Sequence, residues 1–331
     1  MRAKALYILN PGSYEQIYGP EERADLETLT DLYAPPQTKE SVAADPAILG
    51  PCELIFSGWG APCLDAAFLA AAPRLRAVFY GAGSVKGVVT DALWERGIVV
   101  TSSWGANGIP VAEYTLSQIL FSLKLGWRFA LAIKQAGKYP PRGPVPGAYG
   151  STVAIISLGM IGRLVCERLR AFDLNVIAYD PFASPASAAA LGVRLCTLEE
   201  CFAQADVVSL HTPWLKETER LVRGQHFRAM KQDATFINTA RGAVVDEADL
   251  VETLTARPDL TAILDVTHPE PPVPGSPLYS LPNVILTPHI AGSMNRECRR
   301  MGRYAVEECR RFLRGEALQW QVTKERAATL A

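Results

Sequence analysis

TVAIISLGMIGRLVCERLR, residues Thr152–Arg170, decides the fold of this chain. Its first five residues are apolar or β-branched, the composition of a strand covered on both faces. A glycine turn follows, Ser157-Leu158-Gly159-Met160-Ile161-Gly162, and opens directly into an amphipathic helical stretch. A strand, a glycine turn and a helix in that order suit a pyrophosphate. Glycine lets the backbone approach the ligand, and the helix start offers unpaired N–H groups and the positive end of its dipole. The usual spacing is G-x-G-x-x-G. Here it reads S-x-G-x-x-G, with Ser157 in the first glycine position. Serine closes this turn only with a negative φ, and the substitution bears on cofactor affinity more than on cofactor identity.

The next strand candidate, Asn175–Tyr179, ends at Asp180. A carboxylate there can accept both adenosine ribose hydroxyls and would repel a 2′-phosphate, which selects NAD over NADP. Gly159, Met160, Ile161, Gly162 and Asp180 are therefore the first candidate cofactor residues. A glycine-loop domain for S-adenosylmethionine would also accommodate Asp180.

Outward from this unit, short β-rich runs alternate with Ala/Leu-rich helical stretches. Strands are expected at Ala5–Leu9, Leu54–Ser57, Ala77–Tyr80, Val99–Thr101, Thr152–Ser157, Asn175–Tyr179, Val207–Leu210, Thr235–Asn238, Thr261–Leu264 and Val284–Leu286. This alternation predicts an α/β chain with parallel sheets. A helix is expected from about Val111 to Gln135. The Pro/Gly-rich run YPPRGPVPGAYG, Tyr139–Gly150, can be neither helix nor central strand and reads as an ordered arm.

The chain has 331 residues, a length for about two domains. Apolar residues are 49% and charged residues 20%, outside the range of disordered chains. Lys and Arg number 33 against 34 Asp and Glu, so no global charge attracts nucleic acid or an anionic membrane. The 7 cysteines include no C-x-x-C pair, which argues against zinc or a disulfide framework and for small buried hydrophobes in a reducing compartment. No signal-peptide pattern or long uninterrupted apolar run is seen, so a cytoplasmic protein that contacts neither membrane nor nucleic acid is expected.

Three further segments place polar groups after apolar strands, where open α/β sheets bind ligands. They carry Arg241 (FINTARGAVVDE), Asp265 and Glu270 (ILDVTHPEPP), and His289 (ILTPHIAGS). An arginine can bind a carboxylate bidentately. A histidine can shuttle a proton, and a carboxylate can hold it and favour its charged form. Oxidoreduction of a 2-hydroxy acid needs these three groups.

At these residues the chain resembles the D-isomer-specific 2-hydroxyacid dehydrogenases. The matching stretches are VAIISLGMIGR, VIAYDPF, VSLHTPWLKETERL, ATFINTARGAVVDEADL, ILDVTHPEPP and NVILTPHIAGS, in order and with the family's spacing. The likeness is strong from about residue 75 to 315 and poor over residues 1–74. It implies two Rossmann-like or flavodoxin-like parallel-sheet domains, with the NAD-binding domain, residues 105–290, inserted into a substrate domain of residues 1–104 plus 291–331. It implies that Arg241 orients a 2-oxo acid, that His289 is the acid/base, and that Glu270 pairs with His289. Asp265 would contact the nicotinamide amide, and Thr212, Pro213, Thr239 and Ala240 would line the cofactor. Asn107 opens the family's Asn-x-x-x-Val-Ala-Glu motif, and Gly81, Ala82, Gly83 and Ser84 resemble its substrate loop. The Tyr139–Gly150 segment would belong to a homodimer arm. The family also contains NAD-sensing corepressors of the C-terminal-binding-protein type, which keep the Arg, Glu and His.

The remaining candidates divide less sharply. His211 either lines NAD or caps its strand. His268 is expected at the surface, and His226 solvated on a helix. Trp104 is expected to pack in the core. Trp59 is too, unless it lines the substrate pocket. Arg296, Arg299, Arg300 and Arg303 share one helical face, expected to be solvated and ion-paired rather than a second anion site. An aromatic at Trp59, where a phosphate-binding member wants a cation, leans the substrate towards a small or apolar 2-oxo acid.

Overall fold

The structure, a computed structural model, describes residues 2–329. The chain divides into two compact units. One runs through Gly108 and resumes at Ser293, and the other is Ile109–Gly292. The second unit is thus an insertion in the first.

The first unit is built on a six-stranded sheet. Its strands are β1 (Lys4–Ile8), β2 (Asp31–Leu32), β3 (Leu54–Ser57), β4 (Ala77–Tyr80), β5 (Val99–Ser102) and, from the returning C-terminal segment, β13 (Gln321–Val322). The order is β13-β5-β4-β3-β1-β2, parallel except for β13 against β5. The parallel part has the flavodoxin-like order, whose switch point lies between β1 and β3. Alternate residues feed opposite cores. Leu6, Ile8, Ile55 and Val78 pack on one face, and Ala5, Tyr7, Phe56 and Phe79 on the other.

The second unit holds β6 (Thr152–Ile156), β7 (Asn175–Tyr179), β8 (Arg194–Leu195), β9 (Val207–Leu210), β10 (Thr235–Asn238), β11 (Thr261–Leu264) and β12 (Val284–Leu286). Its all-parallel order, β12-β11-β10-β9-β6-β7-β8, is that of a doubly wound dinucleotide-binding sheet, with the switch between β6 and β9. Near-continuous apolar runs again serve two faces. Val153, Ile155 and Ile237 line one core, and Ala154, Ile156 and Phe236 the other.

Several expectations are corrected. β2, β8 and β13 have two residues each, too short for a periodic signal, and were not foreseen. The single helix expected from Val111 to Gln135 is two, Trp104–Ser122 and Gly126–Ala136, bent by 64°. Leu125 sits between them at φ 51°, which ends the first helix and caps the second. No single helix among the described residues is long and apolar enough to cross a membrane. Cys63 is exposed, whereas five of the other cysteines are buried.

His226 is buried rather than solvated. Its Nδ1 accepts the Arg223 N–H at 2.9 Å, and its ring packs on Phe202. Burial lowers its pKa, with Glu199 opposing. Of the four arginines expected on one face, Arg296 stands exposed in the turn Asn295–Glu297 before the helix Cys298–Arg314, and the three on that helix are only partly solvated. Arg303 pairs with Glu22 and Asp25, while Arg299 and Arg300 are half-buried with one guanidinium nitrogen each lacking a partner. The cause is packing. This helix lies so close to Pro11–Ile17 that a Cβ on Gly302 would meet the Ile17 carbonyl oxygen at 2.0 Å. Trp104 is half-buried and packs edge-on against Trp320, with ring centroids 5.2 Å apart.

Candidate active site

The glycine turn after β6 departs from expectation at its first residue. Ser157 has φ 82°, a conformation that favours glycine and costs an L-residue about 1–2 kcal/mol. Its neighbours hold it there. Ser157 donates its N–H to the Tyr179 carbonyl at 2.7 Å, and Leu158 donates to Asp180 Oδ2 at 2.6 Å. Asp180 Oδ1 accepts from Phe182 and Ala183, so the carboxylate ties the turn after β6 to the turn after β7. A Cβ added to Gly159 would meet nothing within 4 Å, whereas one on Gly162 would lie 2.1 Å from the Ser157 carbonyl oxygen. Gly159 thus leaves space at the start of the helix Met160–Leu169, and Gly162 lets that helix pack on the strand. Open space beside unpaired helix N–H groups fits a pyrophosphate.

At the switch point, His211 follows β9 and donates its backbone N–H to Ile156. Its ring is buried, with Nε2 3.0 Å from Ser209 Oγ and Nδ1 without a partner. Burial pushes its pKa down to about 4, so the ring is neutral. Thr212 is buried and Pro213 half-buried, and the Pro213 carbonyl accepts from Thr218 Oγ1 at 2.6 Å. A cavity of about 740 Å³ flanks Asp180, walled by Glu199, Glu217, Arg220 and His226 among others. Arg241, Glu270 and His289 do not line it.

After β10, a residue that sequence reasoning passed over shapes the turn. Buried Asn238 accepts the Ala240 N–H and donates to the Arg241 carbonyl, each at 3.0 Å. Its position at a strand end just before Thr-Ala-Arg was the available signal. Thr239 Oγ1 meets Thr115 Oγ1 at 3.2 Å. Burial lowers the pKa of the Arg241 guanidinium, and the Glu270 carboxylate opposes that shift. Gly242 allows the closest approach in the site. A Cβ there would stand 2.0 Å from the Thr267 backbone carbon, so only glycine lets the Arg241 strand end pass under the loop bearing Glu270.

Asp265 is buried, and both oxygens of its carboxylate accept hydrogen bonds within the protein. It accepts from Thr287 Oγ1 at 2.6 Å and from the N–H groups of Ile290 and Ala291 at 2.8 Å each. Tyr114 and Thr287, neither foreseen, extend the network through a 3.0 Å hydroxyl contact. The His289 N–H donates to the Asp265 and Thr287 carbonyls, and His289 itself sits at φ 55°. The turn thus formed projects the imidazole so that Nδ1 lies 2.6 Å from Glu270 Oε1, with both side chains roughly half exposed. His268 is exposed, as expected.

The candidates of the first unit gather at the C-terminal ends of its strands. Trp59 follows β3 at the switch point and is 36% exposed, so it does not pack in the core. Its carbonyl accepts the Asn10 N–H at 3.0 Å. Gly81 and Ala82, after β4, are buried, and Gly83 and Ser84 half-buried. Ser102 Oγ donates to the Ala82 and Gly83 carbonyls, at 2.9 and 2.5 Å. Asn107 Oδ1 accepts the Ser293 N–H at 2.9 Å. Among the described residues, no group of three or more His, Cys, Asp and Glu is placed to hold a metal ion.

The sequence model of the D-isomer specific 2-hydroxyacid dehydrogenase NAD binding domain matches residues 125–291. A D-3-phosphoglycerate dehydrogenase of Archaeoglobus fulgidus is 35% identical over 254 residues, 76% of this chain and 48% of the relative. The chain therefore spans about half the length of such relatives. A glyoxylate reductase of Korarchaeum cryptofilum is 30% identical over 307 residues, 89% of each chain. Among solved structures, the TT0316 protein of Thermus thermophilus superposes with a TM-score of 0.75 at 31% identity, covering 97% of this chain and 100% of that one. With half its length matching an NAD-binding domain and a relative aligned almost end to end, the chain belongs to the D-isomer-specific 2-hydroxyacid dehydrogenase family.

Proposed function

We propose that this protein is an NAD-dependent dehydrogenase that interconverts a 2-oxo acid and the corresponding D-2-hydroxy acid. The observation that carries the reading is the grouping of Arg241, Glu270 and His289 at the C-terminal edge of an NAD-binding sheet. When bound, the nicotinamide supplies or takes up the hydride at substrate C2. Arg241 binds the substrate carboxylate and steadies charge developing on the neighbouring oxygen. Glu270 occupies His289 Nδ1, which leaves Nε2 to give the carbonyl oxygen its proton and, in the oxidative direction, to remove it. The Glu270 carboxylate offsets the positive charge of the imidazolium.

Gly159, Met160, Ile161 and Gly162 would hold the pyrophosphate. Asp180 would accept the ribose hydroxyls with the lone pairs that its three backbone bonds leave. His211, Thr212, Pro213, Thr239 and Ala240 would line the cofactor, and the buried, unpaired His211 Nδ1 fits a polar partner. Asp265 acts through the His289 turn, to which its carboxylate gives three of its roughly four acceptor sites. In this reading residues 105–290 are the NAD domain, and residues 1–104 with 291–331 the substrate domain. Gly81–Ser84 and Trp59 belong to the latter, and Asn107 stands where the chain crosses from it into the former. An indole at the β1/β3 switch point favours a small or apolar 2-oxo acid over a phosphorylated one.

The deciding experiment is a panel of 2-oxo acids with NADH and NADPH. NADH consumption on small or apolar members supports the reading. Tight NADH binding without consumption across the panel would point instead to a sensing protein. His289→Ala is expected to lower turnover by about 10²–10⁴ with NADH affinity kept, and near-wild-type turnover in that variant would defeat the assignment.

A further inference from the structure

Two segments that the proposed reading treats separately touch through a pair of aromatic rings. The segment after β9 carries Thr212 and Pro213, and its next residue is Trp214. The segment after β11 carries Glu270, and two residues before it stands His268. The Trp214 and His268 rings meet edge to face, with centroids 5.2 Å apart and planes at 63°.

Core burial does not account for this contact. Trp214 is 39% exposed and His268 is exposed. Each ring is mounted on a stiff local frame. On one side, Thr218 Oγ1 donates to the Pro213 carbonyl at 2.6 Å and accepts the Leu215 N–H at 2.8 Å, which brackets Trp214. The indole Nε1 also reaches Glu219 Oε2 at 3.4 Å. On the other side, the His268 N–H donates to Glu247 Oε2 at 3.3 Å, and Thr267 Oγ1 donates to the Pro269 carbonyl at 2.8 Å. Gly242 packs against the Thr267 backbone beneath them. With each frame tied by its own hydrogen bonds, the ring pair links the two segments. An aromatic pair of this geometry is directional, so the joint fixes orientation as well as distance.

We propose that Trp214 is a positioning residue that couples occupancy of the cofactor-lining segment to the placement of Glu270, acting through His268. The proposal rests on the reading of Thr212–Pro213 as cofactor-lining and of Glu270 as the partner of His289. A shift of Thr212–Pro213 on NADH binding then moves Trp214, which moves His268 and the carboxylate two residues on. The chemistry is tuned only when the cofactor is in place. Misplacement of a catalytic group by a fraction of an ångström to an ångström lowers the rate by up to about 10².

The test uses the full chain with Trp214→Ala, His268→Ala, the double variant and Trp214→Phe. Either single alanine variant is expected to lower kcat about 5- to 50-fold while the NADH dissociation constant stays within about threefold. The double variant is expected to match the worse single variant within about twofold, because both remove one joint. Trp214→Phe, which keeps a ring edge, is expected to restore most of kcat. The chain has only 4 histidines, so their ring resonances can be assigned by NMR through single substitutions. NADH is expected to shift the His268 resonance in the wild type and not in Trp214→Ala. Unchanged kcat in Trp214→Ala, multiplicative losses in the double variant, or a His268 resonance insensitive to NADH would each overturn the coupling. An NADH-dependent His268 shift in a wild type inert towards every 2-oxo acid would sink the dehydrogenase reading and leave the coupling standing. The converse result would do the reverse.

Discussion

Ser157 holds a glycine conformation without being glycine. Its hydroxyl is 3.5 Å from Asp180 Oδ2, too long to compensate fully for a positive φ. Ser157→Gly removes that strain but adds freedom to the unfolded chain, so the expected net gain is about 0.5–1 kcal/mol. A urea titration checks it, and a loss of stability would mean that the hydroxyl contributes more than its distance suggests. His211 makes a second single-residue prediction. Burial holds its pKa at about 4 against an ordinary 6.5, so between those values the unfolded chain binds the extra proton. Stability should therefore be fully present above pH 6.5 and decline as pH falls towards 4, by up to about 1.4 kcal/mol per unit from this residue. His211→Gln should flatten that acid decline in denaturation midpoints measured across pH 4–7. An unchanged slope would show that the ring is not buried neutral.

At the scale of elements, the loops that follow β10, β11 and β12 shape one another more than they are shaped by their own sequences. Asp265, on the loop after β11, folds the turn after β12 by accepting two of its N–H groups. Gly242, after β10, makes room for Thr267, after β11. Asp265→Asn would replace one acceptor oxygen by a donor facing an N–H, a mismatch that costs about 1–3 kcal/mol. The loss should appear in the His289 turn. Turnover is expected to fall about 10- to 100-fold with NADH affinity little changed, as steady-state kinetics and cofactor titration would show. A variant that loses NADH affinity while keeping kcat would return Asp265 to the role of a direct cofactor contact.

At the scale of the whole molecule, large apolar side chains stand exposed between residues 121 and 149. The helix Gly126–Ala136 has no buried residue. Phe121 before it, Leu131 within it, and Tyr139 and Tyr149 on the segment beyond are exposed, the two tyrosines at 85% and 87%. Exposed apolar side chains that gather into one patch are normally covered. The family resemblance implies a homodimer arm at residues 139–150, and we propose that such an arm covers these side chains. Replacing Leu131 and Tyr139 by serine should then convert a dimer to a monomer in light scattering, with the fold intact by circular dichroism. A wild-type monomer at micromolar concentration would end that proposal.

By itself the amino-acid sequence determined the strands that are sandwiched between helices, their succession along the chain, the glycine turn and the three polar strand ends. The reason is local. A strand buried on both faces must be apolar throughout, and a turn that meets a helix start must have room for its backbone, so both leave a readable trace. Only the tertiary structure decided that Ser157 takes a positive φ, that His226 is buried and Trp59 exposed, that the helix after Trp104 breaks at Leu125, and that Asp180 and Asp265 each tie together two neighbouring turns. Each depends on a partner far away in sequence. The Ser157 turn is held by Tyr179 and Asp180, and the His289 turn by Asp265. The edge strands β2, β8 and β13 form because a longer neighbour supplies their hydrogen bonds. No spacing along the chain records which strand end will lie beside which, and that adjacency is what places the imidazole against its carboxylate.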